Sequence, residues 1–296
     1  MAMASFWATM AAHGADVPTD LSDLGVCTST LRADPFSCSP DDLQSIITAS
    51  GLAGFHTASL WRMHYEMAKA GGLRDGDLLQ WLAEAELAVL VVEAGVEWAN
   101  GVSKALTDEA DGLFAMAHLV GATHVLTVTL NEGELDIAAA RSGLAEFADR
   151  AAGAGLSLSI EWLPWTVLPT LSSAWQLIES VDRANVGLVF DNWHWLRQPG
   201  GPQPDVLRTI PGDRVHLLQL CDAPAAPDGP MLEETMTRRL LPGEGATDWD
   251  ELAQVFGDIG ARPIIAPEPF NAARAAQGPT VYAHAIAEAT RRLLVG

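Results

Sequence analysis

The chain has 296 residues, 49% of them apolar, enough for a large core and against extended disorder. Its net charge of −21 comes from 38 acidic against 17 basic residues, and Lys69 and Lys104 are its lysines. So negative a chain, without a basic run, excludes nucleic acid and anionic membrane surfaces as partners.

Taken in order, residues 1–20 read as an N-terminal extension in which Ser5 to Ala12 forms an apolar helix carrying Phe6, Trp7 and Met10. It is expected to pack on the main domain or on a neighbouring subunit. Residues 21–296 read as one domain in which short apolar runs alternate with amphipathic stretches. Strands are predicted near Leu24 to Thr28, Gly54 to Ala58, Ala88 to Glu93, His124 to Thr129, Leu156 to Glu161, Val186 to Asp191, Val215 to Gln219 and Ile264 to Glu268. Helices are predicted at Asp41 to Ser50, Asp75 to Glu86, Asp108 to Val120, Asp136 to Ala154, Leu171 to Val181, Trp249 to Ile259 and Val281 to Leu294. Several start at good caps, such as Ser39-Pro40-Asp41-Asp42. Eight strands alternating with helices favour a single α/β (β/α)8 TIM barrel over an open doubly wound sheet, and the first strand-to-helix turn lacks GxGxxG. The longest connection follows strand seven. It runs from Asp222 through a Pro/Gly-rich stretch to Arg238-Arg239 and Leu241-Pro242-Gly243-Glu244-Gly245, and is expected to cover a site.

Cys27, Cys38 and Cys221 have no CxxC spacing, and their odd number argues against a disulfide framework. No signal-peptide n-region precedes Arg32, and no apolar run approaches the ~18 residues of a membrane span. A cytoplasmic protein is expected.

Four predicted strands end on a polar residue facing the interior: Glu161, Asp191, Gln219 and Glu268. Period-two alternation sets the direction, with Ser157 and Ser159 on the face of Glu161, Gly187 and Val189 with Asp191, Val215 and Leu217 with Gln219, and Ile264 and Ala266 with Glu268. Three carboxylates and an amide at one centre repel one another unless a cation sits among them. A divalent metal is therefore expected. All-oxygen donors favour Mn²⁺ or Mg²⁺, with Co²⁺ or Zn²⁺ less favoured. By the same alternation His216 falls on the opposite face from Gln219, between sheet and helices. His194, three residues past Asp191, reaches substrate; His56 and His64, around Trp61-Arg62, are further candidates for the pocket, and His118 and His284 are structural.

The stretches Ile160-Glu161, Phe190-Asp191-Asn192-Trp193-His194, Leu218-Gln219-Leu220-Cys221-Asp222, Arg239 to Gly245 and Pro267-Glu268-Pro269-Phe270 resemble the xylose-isomerase-like barrels of the sugar phosphate isomerase/epimerase group. That group includes tagatose/psicose epimerases, inosose dehydratase, hydroxypyruvate isomerase and endonuclease IV. The resemblance implies a divalent-metal-dependent isomerase or epimerase acting through a metal-stabilised enediolate, with Glu161 and Glu268 as paired acid and base. It also implies Glu161, Asp191, Gln219 and Glu268 as metal ligands, Gln219 standing where many members have His, as in one branch of the group. Arg239, backed by Arg238, matches the group's substrate-contacting arginine, and Glu244 of the same loop is expected to face substrate.

Trp61, Trp98, Trp162, Trp165, Trp193 and Trp195 stand at or beyond predicted strand ends and suggest flat apolar walls, with Trp61, Trp165 and Trp193 expected against substrate. A sugar or sugar conjugate is the expected small-molecule partner, and no phosphate-binding loop is apparent. A lyase on the same platform, by dehydration or C-glycoside-type cleavage, remains an alternative. A nuclease lacks the multi-His site and basic surface it needs, and a non-catalytic binding barrel leaves both glutamates unexplained. Homo-oligomers are common in the group.

Overall fold

A computed structural model describes residues 5–13 and 24–295. Eight parallel strands follow one another round a barrel in chain order: β1 (Gly25–Cys27), β2 (Thr57–Trp61), β3 (Ala88–Gly95), β4 (His124–Thr127), β5 (Ser157–Glu161), β6 (Val186–Asp191), β7 (Val215–Gln219) and β8 (Ile264–Ile265). The ring closes through a parallel bridge between Leu24 and Ile265 and a bond from Cys27 N to Pro267 O at 3.1 Å. The chain is a single (β/α)8 TIM barrel. Among the described residues no helix is long and apolar enough to cross a membrane.

Alternation divides the apolar residues into two sets. Val91, Leu126, Val189, Leu217 and Ala266 pack inside the barrel, while the larger cluster lies between strands and helices. Helix starts follow capping chemistry: Ser39 Oγ accepts from Asp42 N, and Asp42 Oδ2 accepts from Ser39 N, ahead of the helix Pro40–Leu52.

The strand pattern departs from expectation in three places. β2 begins three residues later than predicted, because Gly54, at φ +79°, closes the turn after Pro40–Leu52 and leaves 54–56 as a connection. β8 pairs over two residues only, since Pro267 has no N–H. The hydrogen bonds from Ala266 N to Leu218 O and from Glu268 N to Leu220 O nevertheless hold the segment in line.

The third departure moves a histidine. Leu188 pairs with Val215 but Val189 with Leu217, so His216 is the extra residue of a bulge. Val215 therefore packs in the outer cluster instead of sharing a face with Gln219. His216, expected between sheet and helices, turns into the barrel, where its Nδ1 lies 3.1 Å from Ser159 Oγ and its ring 5.2 Å from that of His124. Gly187 makes room for it, because a Cβ there would sit 2.4 Å from His216 Nε2.

The N-terminal helix Phe6–Ala12 packs on the chain's own barrel. Phe6 meets Trp249 edge-on at 6.1 Å and Phe256 at 6.2 Å, and Phe6, Trp7 and Met10 are buried. Its apolar face is thus covered within the chain and is not free for a neighbouring subunit. The expected boundary at residues 20/21 lies outside the described residues.

Candidate active site

The C-terminal ends of the strands bring the expected carboxylates to one floor. In-register pairing sets Glu161 beside Val189 and Asp191 beside Gln219, and Glu268 follows β8 one strand further round. All four side chains are buried.

Asp191 has two tasks. Its Oδ1 caps the helix Asn192–Arg197, accepting from Trp193 N at 2.7 Å and His194 N at 3.2 Å, while Oδ2 accepts from Arg239 Nη1 at 2.6 Å. Arg239 Nη1 also reaches Glu268 Oε2 at 3.2 Å, and the guanidinium is held from behind by Thr235 O and Oγ1. Burial pushes the Asp191 carboxyl up, yet Arg239 and His194 outweigh it and leave Asp191 below the usual range. Glu268 and Glu161 go the other way. Burial raises both well above the usual carboxylate range; Arg239 opposes this at each, whereas the neighbouring carboxylates of Asp191 and Glu93 add to the rise at both.

His194 Nε2 lies 3.2 Å from Arg239 Nη2, and its Nδ1 lies 3.1 Å from Glu161 Oε1, out of line for a hydrogen bond. Burial drops its pKa to about 4, so at neutral pH it adds hydrogen-bonding capacity and no charge.

Glu93 is the functional candidate that sequence reasoning missed. It is buried near the end of β3 in line with Val91, accepts from Trp61 Nε1 at 3.0 Å, and takes the Cys27 thiol at 3.7 Å. Burial raises its pKa against those two bonds. The alternation that found Glu161 points to Glu93 as well, since the predicted third strand ended on it.

Above this floor opens a cavity of about 450 Å³, whose walls include Glu161, Glu268, His194, Arg239, Trp61 and Trp165. The loop after β7 contributes Leu232, Thr235, Met236 and Arg239, as expected of a segment that covers the site. Other expected residues stand elsewhere. Trp193 is fully buried behind Arg239, with the guanidinium 5.4 Å from its ring, and Trp98, Trp162 and Trp195 are likewise packed away from the cavity. Glu244 pairs with Arg274 at 2.7 Å outside the cavity, and Arg238 pairs with Glu233 at 3.2 Å. His56 is exposed, and His64 is buried with its Nε2 2.7 Å from Pro35 O; neither lines the cavity.

Asp222, just past β7, fixes the covering loop. Its carboxylate accepts from Gly243 N, Thr247 N and Oγ1, and Trp249 Nε1, while Gly245 passes so close that a Cβ would meet Asp222 Oδ1 at 2.4 Å.

The donors suit a divalent cation. Gln219 Nε2 donates to Glu268 Oε1 at 3.1 Å, which leaves Gln219 Oε1 buried with no hydrogen-bond partner among the described residues. Such an orphaned acceptor costs about 1–3 kcal/mol, and a metal would satisfy it. Glu161, Asp191 and His194 bring ligand atoms within 4.8 Å of one another, as do Cys27, Glu93 and Glu268. His194, expected as a substrate contact, is thus a candidate ligand as well.

A barrel of consecutive parallel strands with acidic residues at their C-terminal ends defines a class of enzyme-like sites. The chain belongs to the xylose isomerase-like TIM barrel family, whose model matches residues 53–292. It is 34% identical over 130 residues to a 3-dehydroshikimate dehydratase of Pseudomonas aeruginosa, covering 43% of this chain and 20% of that protein. It is 28% identical over 173 residues to an inosose isomerase of Bacillus licheniformis, covering 56% of this chain and 60% of that one. The chain thus spans less than two thirds of these curated relatives. Among solved structures, the IolI protein with a zinc atom shares the fold at a TM-score of 0.78 and 20% identity, over 92% of this chain and 97% of that one.

Proposed function

We propose that the protein is a divalent-metal-dependent isomerase or epimerase of a small hydroxycarbonyl compound, with Glu161 and Glu268 exchanging protons with substrate carbon. The observation that carries this reading is the pair of buried carboxyls, Glu161 and Glu268, that share one cavity floor beside the orphaned Gln219 Oε1.

Glu161, Asp191, Gln219 and Glu268 would hold the ion, with Mn²⁺ or Mg²⁺ best suited to oxygen donors, and it would lend Lewis acidity to substrate oxygens. Glu161 removes the proton from the carbon beside the carbonyl. Glu268 returns one, at the same carbon for epimerisation or at its neighbour for isomerisation. Arg239, fixed by Thr235, orients substrate oxygens, and His194 supplies a neutral hydrogen bond. Trp61 and Phe270, with ring centroids 5.8 Å apart, exclude water from the reacting face.

A second reading is dehydration, favoured by the identity to a named dehydratase. It shares the first proton removal and then expels hydroxide from the next carbon, protonated by the second glutamic acid. The three unpaired cysteines support a cytoplasmic setting.

Incubation of the Mn²⁺-loaded protein with ketoses, inososes and 3-dehydroshikimate in D₂O tests the proposal. Deuterium gain with no loss of water supports isomerisation, and formation of a product lacking one water supports dehydration. No turnover with any divalent metal would sink both.

A further inference from the structure

We infer that the cavity takes a substrate with two chemically different ends: a hydroxycarbonyl or polyhydroxylated head on the carboxylate floor, and a flat apolar ring, aryl or alicyclic, in the chamber above. The inference rests on the proposed function for the fate of the head; the ring is argued from the walls alone.

Those walls form a continuous aromatic surface. Trp61 at the end of β2 lies 6.2 Å from Phe36 of the loop after β1 and 5.8 Å from Phe270 beyond β8. Trp61 has one donor, and it is committed to Glu93 at 3.0 Å, so what the indole offers a ligand is ring surface. From β5 onward, Leu163 and Trp165 supply further apolar wall.

The polar groups of the upper chamber are engaged with one another. Arg62 donates to Glu66 at 2.6 Å and to Glu109 O at 3.2 Å, and the Glu109 carboxylate accepts from Val96 N and Glu97 N at 2.9 and 3.0 Å. A sugar hydroxyl carried into this space would have to compete with these pairs for the acceptor positions they leave spare. An apolar ring gives up nothing there.

The rim carries the same signature. Phe36, Leu130 and Leu232, from the loops after β1, β4 and β7, are 57%, 61% and 57% exposed and all line the cavity. Three separate loops presenting large apolar side chains at one mouth mark a surface that something apolar covers. At about 450 Å³ the cavity falls in the range of roughly 300–1,000 Å³ that holds drug-sized, ring-bearing ligands.

Calorimetric titration of the Mn²⁺-loaded protein with methyl, phenyl and 2-naphthyl D-glucosides and D-galactosides tests this. The expected result is that Kd falls by about tenfold or more from methyl to naphthyl in at least one sugar series. Phe36→Ser and Leu232→Ser, at exposed positions and checked for unchanged melting temperature, should shrink that increment to about threefold or less. A flat series, no binding by any aryl member, or an increment unchanged in both variants would overturn the inference. Solvent deuterium exchange into unsubstituted ketoses, run alongside, separates the two claims. Exchange with a flat series removes the apolar ring and leaves the proton-transfer reading standing, whereas a graded series with no exchange does the reverse.

Discussion

Arg239→Met removes the charge on which the floor of the site is balanced. The guanidinium is 2% exposed, pairs with Asp191 at 2.6 Å and with Glu268 at 3.2 Å, and a methionine of similar length fills its space without offsetting either carboxylate. Removing one partner from a buried ion pair costs about 3–5 kcal/mol. For a domain of this size roughly 2 °C accompanies each kcal/mol, so thermal unfolding in EDTA near pH 7 should fall by about 6–10 °C. The pH dependence has a definite sign. Burial already raises Glu268 above its ordinary 4.5 against the pull of Arg239. Without Arg239 it rises further, so the folded state keeps a proton that the unfolded chain releases above about 4.5, and the deficit should narrow toward pH 5 and widen toward pH 8. Mn²⁺ should restore the variant more than it stabilises the parent, because a cation then replaces the lost charge. A loss under about 1 kcal/mol in EDTA, or a deficit independent of pH, would refute this balance of charges.

Two further predictions concern the lower barrel. Burial drops His216 from 6.5 to about 4, so the fold favours the neutral ring; the stability this gives is complete above about pH 6.5 and is lost as pH falls toward 4. The gap is worth roughly 3 kcal/mol. Urea titrations should therefore show the parent losing stability over that window faster than His216→Gln, and parallel curves would contradict it. Gly187→Ala places a Cβ against His216 Nε2 at 2.4 Å and Arg214 O at 2.5 Å. It should destabilise the protein by about 1–3 kcal/mol, and a neutral effect would mean that the imidazole does not occupy that space.

Strands buried on both faces are legible because their apolar runs are continuous, and β6 runs between its predicted ends, Val186 and Asp191. The inward direction of Glu161, Asp191 and Gln219 followed from the same periodicity. Alternation alone puts His216 on the wrong face, because a bulge breaks period two and nothing local in Val215-His216-Leu217 announces one. The predicted β2 starts early because Gly54-Phe55-His56 has strand-like composition, and the left-handed φ of Gly54 marks the turn there. The tryptophans show a different limit. Position at a strand end does not say whether a ring turns toward the cavity, like Trp61 and Trp165, or into packing, like Trp98, which donates to Val128 O at 2.7 Å. Arg239 matched a substrate-binding pattern, but its pairing with Asp191 and Glu268 depends on the return of the long loop over the barrel. In sequence those partners lie 48 and 29 residues away.

In the proposed reaction Glu161 moves a proton between solvent and substrate carbon. Its most direct test is the rate at which deuterium from D₂O enters that carbon, followed by NMR for the Mn²⁺-loaded parent and for Glu161→Gln, with metal content and melting temperature measured on both. The parent should exchange, and the variant should exchange about 10²–10⁴-fold more slowly, with the fold retained. Exchange at the parental rate in Glu161→Gln would contradict it.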